Sequence, residues 1–209
     1  TAECEGTRKL ILATEDNEDR EYVDEFSMYA QDIEAARALV EDFKAMAESC
    51  GEVQSDLSYI LGEAPTFDRA LNYLASHVPP SVSSNDTRYE QRFEFDTEHP
   101  LIFMLEVTDS DKGETQQYRF NIADISNTSL DFDTKRGDVL VQGEVKGRRN
   151  LITVFENGAL SDYEDAFQFY MEDVDEARSM LEVLKYINTE SSAWQEAHPS
   201  EIAALNTLE

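Results

Sequence analysis

Tyr163 to Ile187, YEDAFQFYMEDVDEARSMLEVLKYI, sets an alternating apolar run, an acidic cap and an amphipathic helix one after another. The same succession stands near the start of the chain. Tyr22 to Met46 reads YVDEFSMYAQDIEAARALVEDFKAM, and the two runs align without a gap at an offset of 163 − 22 = 141 residues. Identities recur at Tyr22/Tyr163, Asp24/Asp165, Phe26/Phe167, Tyr29/Tyr170, Asp32/Asp173, Ala36/Ala177, Arg37/Arg178, Glu41/Glu182 and Lys44/Lys185, and backwards at Glu3/Glu144, Gly6/Gly147, Arg8/Arg149 and Ile11/Ile152. The chain therefore carries an internal repeat, which speaks to architecture before it speaks to activity.

Within the later copy, Asp173 is an N-cap with Glu176 three residues on, the spacing of a capping box. Val174, Ala177, Met180, Leu181, Leu184 and Ile187 recur at helical spacing and form one apolar stripe. In the earlier copy Asp32 is the cap, and Ile33, Ala36, Leu39, Val40, Phe43 and Met46 form the stripe. Each helix must cover something apolar. The candidate is the sheet before it.

Upstream of the later copy, runs with apolar residues at every second position predict strands. They fall at 92–96, 101–107, 117–122, 130–133, 139–145, 151–155 and 163–171, separated by turn-forming clusters such as Asp109 to Gly113 and Asn157-Gly158. The expectation is a seven-stranded antiparallel meander ahead of the helix, hence an α+β fold. Pro65, Ala70, Leu71, Asn72 and Leu74 match Pro199, Ala204, Leu205, Asn206 and Leu208 at an offset of 134, which predicts a linker helix after each repeat. The organisation expected is the end of a first repeat over 1–50, a helical linker over 51–86, a complete repeat over 87–190 and a second linker helix over 191–209. On this reading the chain is a fragment of a longer repeat protein, or its ends are completed by other chains.

Seven antiparallel strands followed by one amphipathic helix resemble the pleckstrin-homology-like fold, a bent sheet or open barrel closed by its C-terminal helix. The resemblance covers about Tyr89 to Ile187, with residues 1–46 matching the last strands and helix of another copy. It implies a binding platform for phosphoinositides, peptides or protein partners. Basic hairpin tips in such folds hold phosphates, which makes Lys135, Arg136, Lys146, Arg148 and Arg149 the candidate anion site; charged residues populate exposed turns in any case.

Asp and Glu number 45 against 17 Lys and Arg, for a net charge of −28. Such a field repels nucleic acid and anionic lipid, so neither is an expected partner. The acidity fits a surface kept hydrated at high salt, a basic protein partner, or weak divalent-cation binding. No apolar stretch approaches the ~20 residues of a membrane span, and a soluble, cytoplasmic setting is the expectation. Cys4 aligns with Val145 and is expected to act as a small buried hydrophobe; Cys50 aligns with Ser191, so the second copy holds no equivalent cysteine pair.

Catalytic and metal motifs are wanting. Asp109, Asp111 and Gly113 begin like a calcium loop, but Glu114 replaces its glycine and Phe120 its bidentate glutamate. His77, His99 and His198 are far apart in sequence, and Arg136-Gly137-Asp138 is read as a hairpin turn. No phosphate loop, G-x-S-x-G or H-E-x-x-H is present. The pairs Asp24/Arg37 and Asp165/Arg178 are predicted to be structural ion pairs between strand and helix, one per repeat. The functional expectation is a non-catalytic protein-interaction or scaffold module, without cofactor or metal, binding a basic protein. The alternatives are a self-assembling homo-oligomer whose partial repeat is completed by another chain, and an anion- or phospholipid-binding module.

Overall fold

The computed structural model describes residues 2–3, 11–15, 18–23, 25–26, 30–50, 57–84, 87–135 and 138–198, with side chains from residue 30 onwards apart from those of 46–50, 84 and 135. The chain divides into two compact units, Thr1–Asp56 and Leu57–Glu209.

In the first unit β1 (Ala2–Glu3) pairs with β4 (Glu25–Phe26), and β2 (Ile11–Glu15) pairs with β3 (Glu18–Val23), both antiparallel. Helix α1 (Ile33–Cys50) follows, its first turn fixed by the Ala35 amide donating to Asp32 Oδ1 at 2.8 Å.

The second unit opens with helices α2 (Leu57–Leu61) and α3 (Phe67–His77). Then come β5 (Ser81–Ser84), β6 (Thr87–Phe95), β7 (Ile102–Asp109), β8 (Glu114–Asn121), β9 (Asp131–Lys135), β10 (Asp138–Glu144), β11 (Ile152–Glu156), β12 (Ala159–Glu164) and β13 (Ala166–Met171). Helix α4 (Val174–Ala197) ends the description of this unit. The fold is α+β and antiparallel with a C-terminal helix, as the alternation predicts. The seven-stranded closed sheet is not what forms. Nine strands make a six-stranded sheet, β12-β11-β8-β7-β6-β5, and a three-stranded sheet, β13-β10-β9, and neither closes on itself.

Two long-range choices cause the difference. β8 pairs with β11 across the intervening β9-β10 hairpin, so the strands are not a simple meander. The run 163–171, expected as one strand, breaks at Asp165: β12 lies in the larger sheet and β13 in the smaller. The Val145 amide donates to the Asp165 carbonyl at 2.7 Å, which holds the break where the chain changes sheets.

Gln91 ties the two sheets together. Its Nε2 donates to the carbonyls of Tyr170 (2.6 Å) and Pro79 (3.0 Å), and its Oε1 accepts from the Tyr170 amide at 3.0 Å. One side-chain amide thus stands in for a rung of backbone ladder between β6 and β13. Tyr89 stacks on Tyr170 beside it, ring centroids 4.2 Å apart.

Every residue of the predicted α4 stripe is buried, from Val174 at 7% exposed to Ala177, Met180 and Ile187 at 0%. The Glu176 amide donates to Asp173 Oδ1 at 2.8 Å, as the cap requires. The stripe lies over β9, β10 and β13 and the turns between β8 and β9. There the buried Asn188 Nδ2 donates to the carbonyls of Ile122 (2.8 Å) and Ile125 (2.9 Å). On its other side α4 packs against α3, where Ala70, Leu71 and Leu74 are buried. The 191–197 stretch, expected in a separate linker helix, continues α4 without a break.

The elements of the first unit recur in the second at the 141-residue offset read from the sequence. Strands β2 and β3 fall on β11 and β12. Their bulges also coincide, between Ala13 and Thr14 and between Val154 and Phe155. The pair Ala2↔Phe26 falls on Gly143↔Phe167, and α1 and α4 begin at equivalent residues, Ile33 and Val174. Cys4 and the side chain of Cys50 lie outside the described residues.

Candidate functional site

Where β12 leaves one sheet and β13 enters the other, the sheets splay and leave a cleft of about 620 Å³. Tyr118 of β8 and Phe167 of β13 supply its aromatic wall. Ser126, Thr128, Ser129, Gln142 and Gln168 give it hydrogen-bonding groups, and Asp131, Glu144 and Glu164 give it carboxylates.

Local hydrogen bonds set this geometry. The Ser129 hydroxyl bridges the carbonyls of Ser126 (2.8 Å) and Glu144 (3.0 Å) and accepts from the Glu144 amide (2.8 Å), pinning the turn before β9 to the end of β10. Gly143 forms the floor against Phe167. A methyl group there would meet Phe167 Cε1 at 2.8 Å and Leu130 Cδ2 at 2.9 Å. Gly143→Ala is therefore expected to overpack the floor and cost about 1–2 kcal/mol, measured by urea unfolding; a cost near zero would show that the ring and the Leu130 methyl move aside freely.

The electrostatics of the cleft are one-sided. Burial raises the Glu164 carboxyl above the usual carboxylate range, and the like charges of Asp162, Asp165 and Glu156 add to it. The Tyr118 hydroxyl is likewise pushed up, by burial first and then by Glu164 and Glu156. Among the described residues no lysine or arginine pairs with Glu156, Asp162, Glu164 or Asp165. The rim cation, Arg148, pairs with Glu144 at 3.3 Å.

The residues predicted as an anion site fall at two separate turns. Lys135 and Lys146 lie beyond opposite ends of β10, whose seven residues span ~23 Å at the rise of a strand, so the two basic turns are not neighbours. Arg136 lies outside the described residues. Lys146 Nζ donates to the Ala123 carbonyl at 2.6 Å, and Arg149 donates to the Lys146 carbonyl at 3.2 Å with Asp124 4.0 Å away. With Arg148 held by Glu144, each described side chain of the set already serves a carbonyl or a carboxylate.

The ion pair expected between Asp165 and Arg178 does not form. Arg178 pairs instead with Asp175 on its own helix, at 3.0 Å, with its guanidinium 6.0 Å from the Phe132 ring centroid. The reason is distance: β13, six residues long, sets Asp165 ~20 Å from the start of the helix. In the first unit Arg37 is exposed and Asp24 lies outside the described residues. Asp165 does have a place at the site, as the break between sheets and as part of the acidic field around Glu164.

Of the cleft residues, only the rim cation Arg148 belongs to the set singled out from sequence. The one local signal is Ser126-Asn127-Thr128-Ser129, four consecutive small polar residues between two strands. Among the described residues no group of three or more His, Cys, Asp or Glu could hold a metal ion, and no helix is long and apolar enough to cross a membrane. Compared with protein-family models, with curated proteins and with solved structures, the chain matches none of them.

Proposed function

We propose that the unit Leu57–Glu209 is a non-catalytic protein-interaction module of pleckstrin-homology-like build, whose cleft receives a basic side chain from a partner protein. The fold assignment is supported by the order of elements, antiparallel strands followed by one amphipathic helix that covers a sheet. The observation that carries the function is Glu164: a partly buried carboxylate crowded by three like charges, with which no cation among the described residues pairs. An incoming Lys or Arg relieves that repulsion and finds the hydroxyls, amides and aromatic wall of the cleft around its stem. At −28 the chain also draws basic partners to it over long range.

The test is a titration of a fluorescent Lys/Arg-rich peptide at low ionic strength, with a Glu-rich peptide of equal length as control. Glu164→Gln should weaken binding about tenfold, ~1.4 kcal/mol, while leaving the fold no less stable at neutral pH. The opposite signs follow from the raised pKa. The folded state prefers the protonated group, so stability linked to protonation is present at low pH and lost as pH rises through the raised value; a permanently neutral Gln escapes that loss. Binding runs the other way and falls on acidification, starting above the ordinary glutamate range. Equal affinity in Glu164→Gln would remove the site from the cleft.

A further inference from the structure

Strand β12 stands at one edge of the six-stranded sheet. β11 lies along one side of it, and among the described residues no strand lies along the other. Ala159 to Tyr163 are exposed and Glu164 is half-buried. The Tyr163 amide donates to its own neighbour, Asp162 Oδ1, at 2.7 Å, the kind of local acceptor that an amide outside a ladder finds. An exposed edge of six residues is a template for a further strand.

The pleat sorts the side chains of this edge. Leu160 lies opposite Phe155 and Tyr163 opposite Thr153, on the outer face of the sheet, where Leu160 is 55% exposed and Tyr163 51%. Asp162 and Glu164 lie opposite Val154 and Ile152, on the face that carries the core. Among the described residues no lysine or arginine pairs with either carboxylate. A strand laid along β12 therefore matches it with apolar residues at alternate positions and basic ones between. A second copy of β12 does not match, because it sets carboxylates beside carboxylates.

We propose that β12 takes up an extended segment of a partner protein as an added antiparallel strand, its apolar residues beside Leu160 and Tyr163 and its basic residues beside Asp162 and Glu164. This rests on the reading of the cleft as the receptor of a basic side chain, since Glu164 belongs both to the edge and to the cleft. Antiparallel is the sense of every other pairing in this sheet.

The probe is a fluorescent peptide of alternating lysine and valine, titrated into the full chain at low ionic strength beside two variants, one N-methylated at every lysine and one at every valine. Amides of successive residues in a strand point to opposite edges, so one variant keeps the edge that meets β12 and the other loses it. All three carry the same charge. The parent and one variant are expected to bind alike, and the other variant about tenfold or more weaker. No saturable binding of the parent, or equal affinities of the two variants, would overturn the proposal. Glu164→Gln keeps the two readings apart. If it weakens the parent peptide while the variants stay equal, the cleft takes a basic side chain and strand addition is wrong; if the variants differ and Glu164→Gln changes nothing, strand addition stands and the cleft is not the receptor.

Discussion

Leu181→Asp is expected to unfold the unit Leu57–Glu209, whereas Val40→Asp, the same kind of change 141 residues earlier, should alter stability by no more than about 0.5 kcal/mol. Leu181 is 5% exposed, so the substitution loses the leucine's burial and desolvates a charge. Together these exceed about 4 kcal/mol, a large share of the 5–15 kcal/mol by which domains are stable. Val40 is 51% exposed, and an aspartate there keeps its water. The only tryptophan of the chain, Trp194, sits on α4, 6.4 Å from Phe67 and 4.3 Å from His198 between ring centroids. Its fluorescence during urea unfolding therefore reports the second unit, and circular dichroism reports both. A cost for Val40→Asp as large as that for Leu181→Asp would show that the α1 stripe is packed as tightly as that of α4.

Gln91→Leu is the second large effect, at about 3 kcal/mol. Gln91 is 6% exposed, and its amide is the partner of the Tyr170 N–H, the Tyr170 carbonyl and the Pro79 carbonyl. A leucine of similar length fills the space but strands those groups between β6 and β13, and buried polar groups without partners cost about 1–3 kcal/mol each before relaxation. Gln91→Glu should cost at least as much, since it keeps an acceptor for the Tyr170 amide but presents charge to two carbonyls. Equilibrium unfolding in urea checks both. A leucine variant within about 0.5 kcal/mol of the parent would show that Tyr89 and Tyr170 hold the sheets together without the amide.

How far the fold can be read from sequence depends on the range of the interaction. Helix α4, its Asp173 cap and its stripe are local patterns and were legible, and so was the correspondence of elements between the two units, because the repeat is gapless, whereas the bulge they share was not read. The partnership of β8 with β11 was not, since alternation tells which residues share a face and never which strand lies alongside. Tyr163 shows the limit well: it has the parity of Phe167, Phe169 and Met171, yet it is 51% exposed while they are 1–3% exposed, because the chain changes sheet at Asp165 between them. Arg178 chose Asp175, three residues away, over Asp165 at the far end of a strand, which is the usual advantage of neighbours on a helix. Gln91 did leave a sign in the sequence, a polar residue with the inward parity of Phe93 and Phe95. The acidic cleft left little, since it is assembled from five strands and two turns.

The contact between α3 and α4 has a mechanical meaning. Phe67 stacks near Trp194, and the Tyr186 hydroxyl donates to the Pro65 carbonyl at 3.2 Å, so α3 and the segment before it are tied to α4. Tension on the flanking chain would peel two helices apart one contact after another and would never drag the strands past each other. A body anchored in this way resists pulling weakly and recoils quickly, since its sheets are still paired when its helices let go.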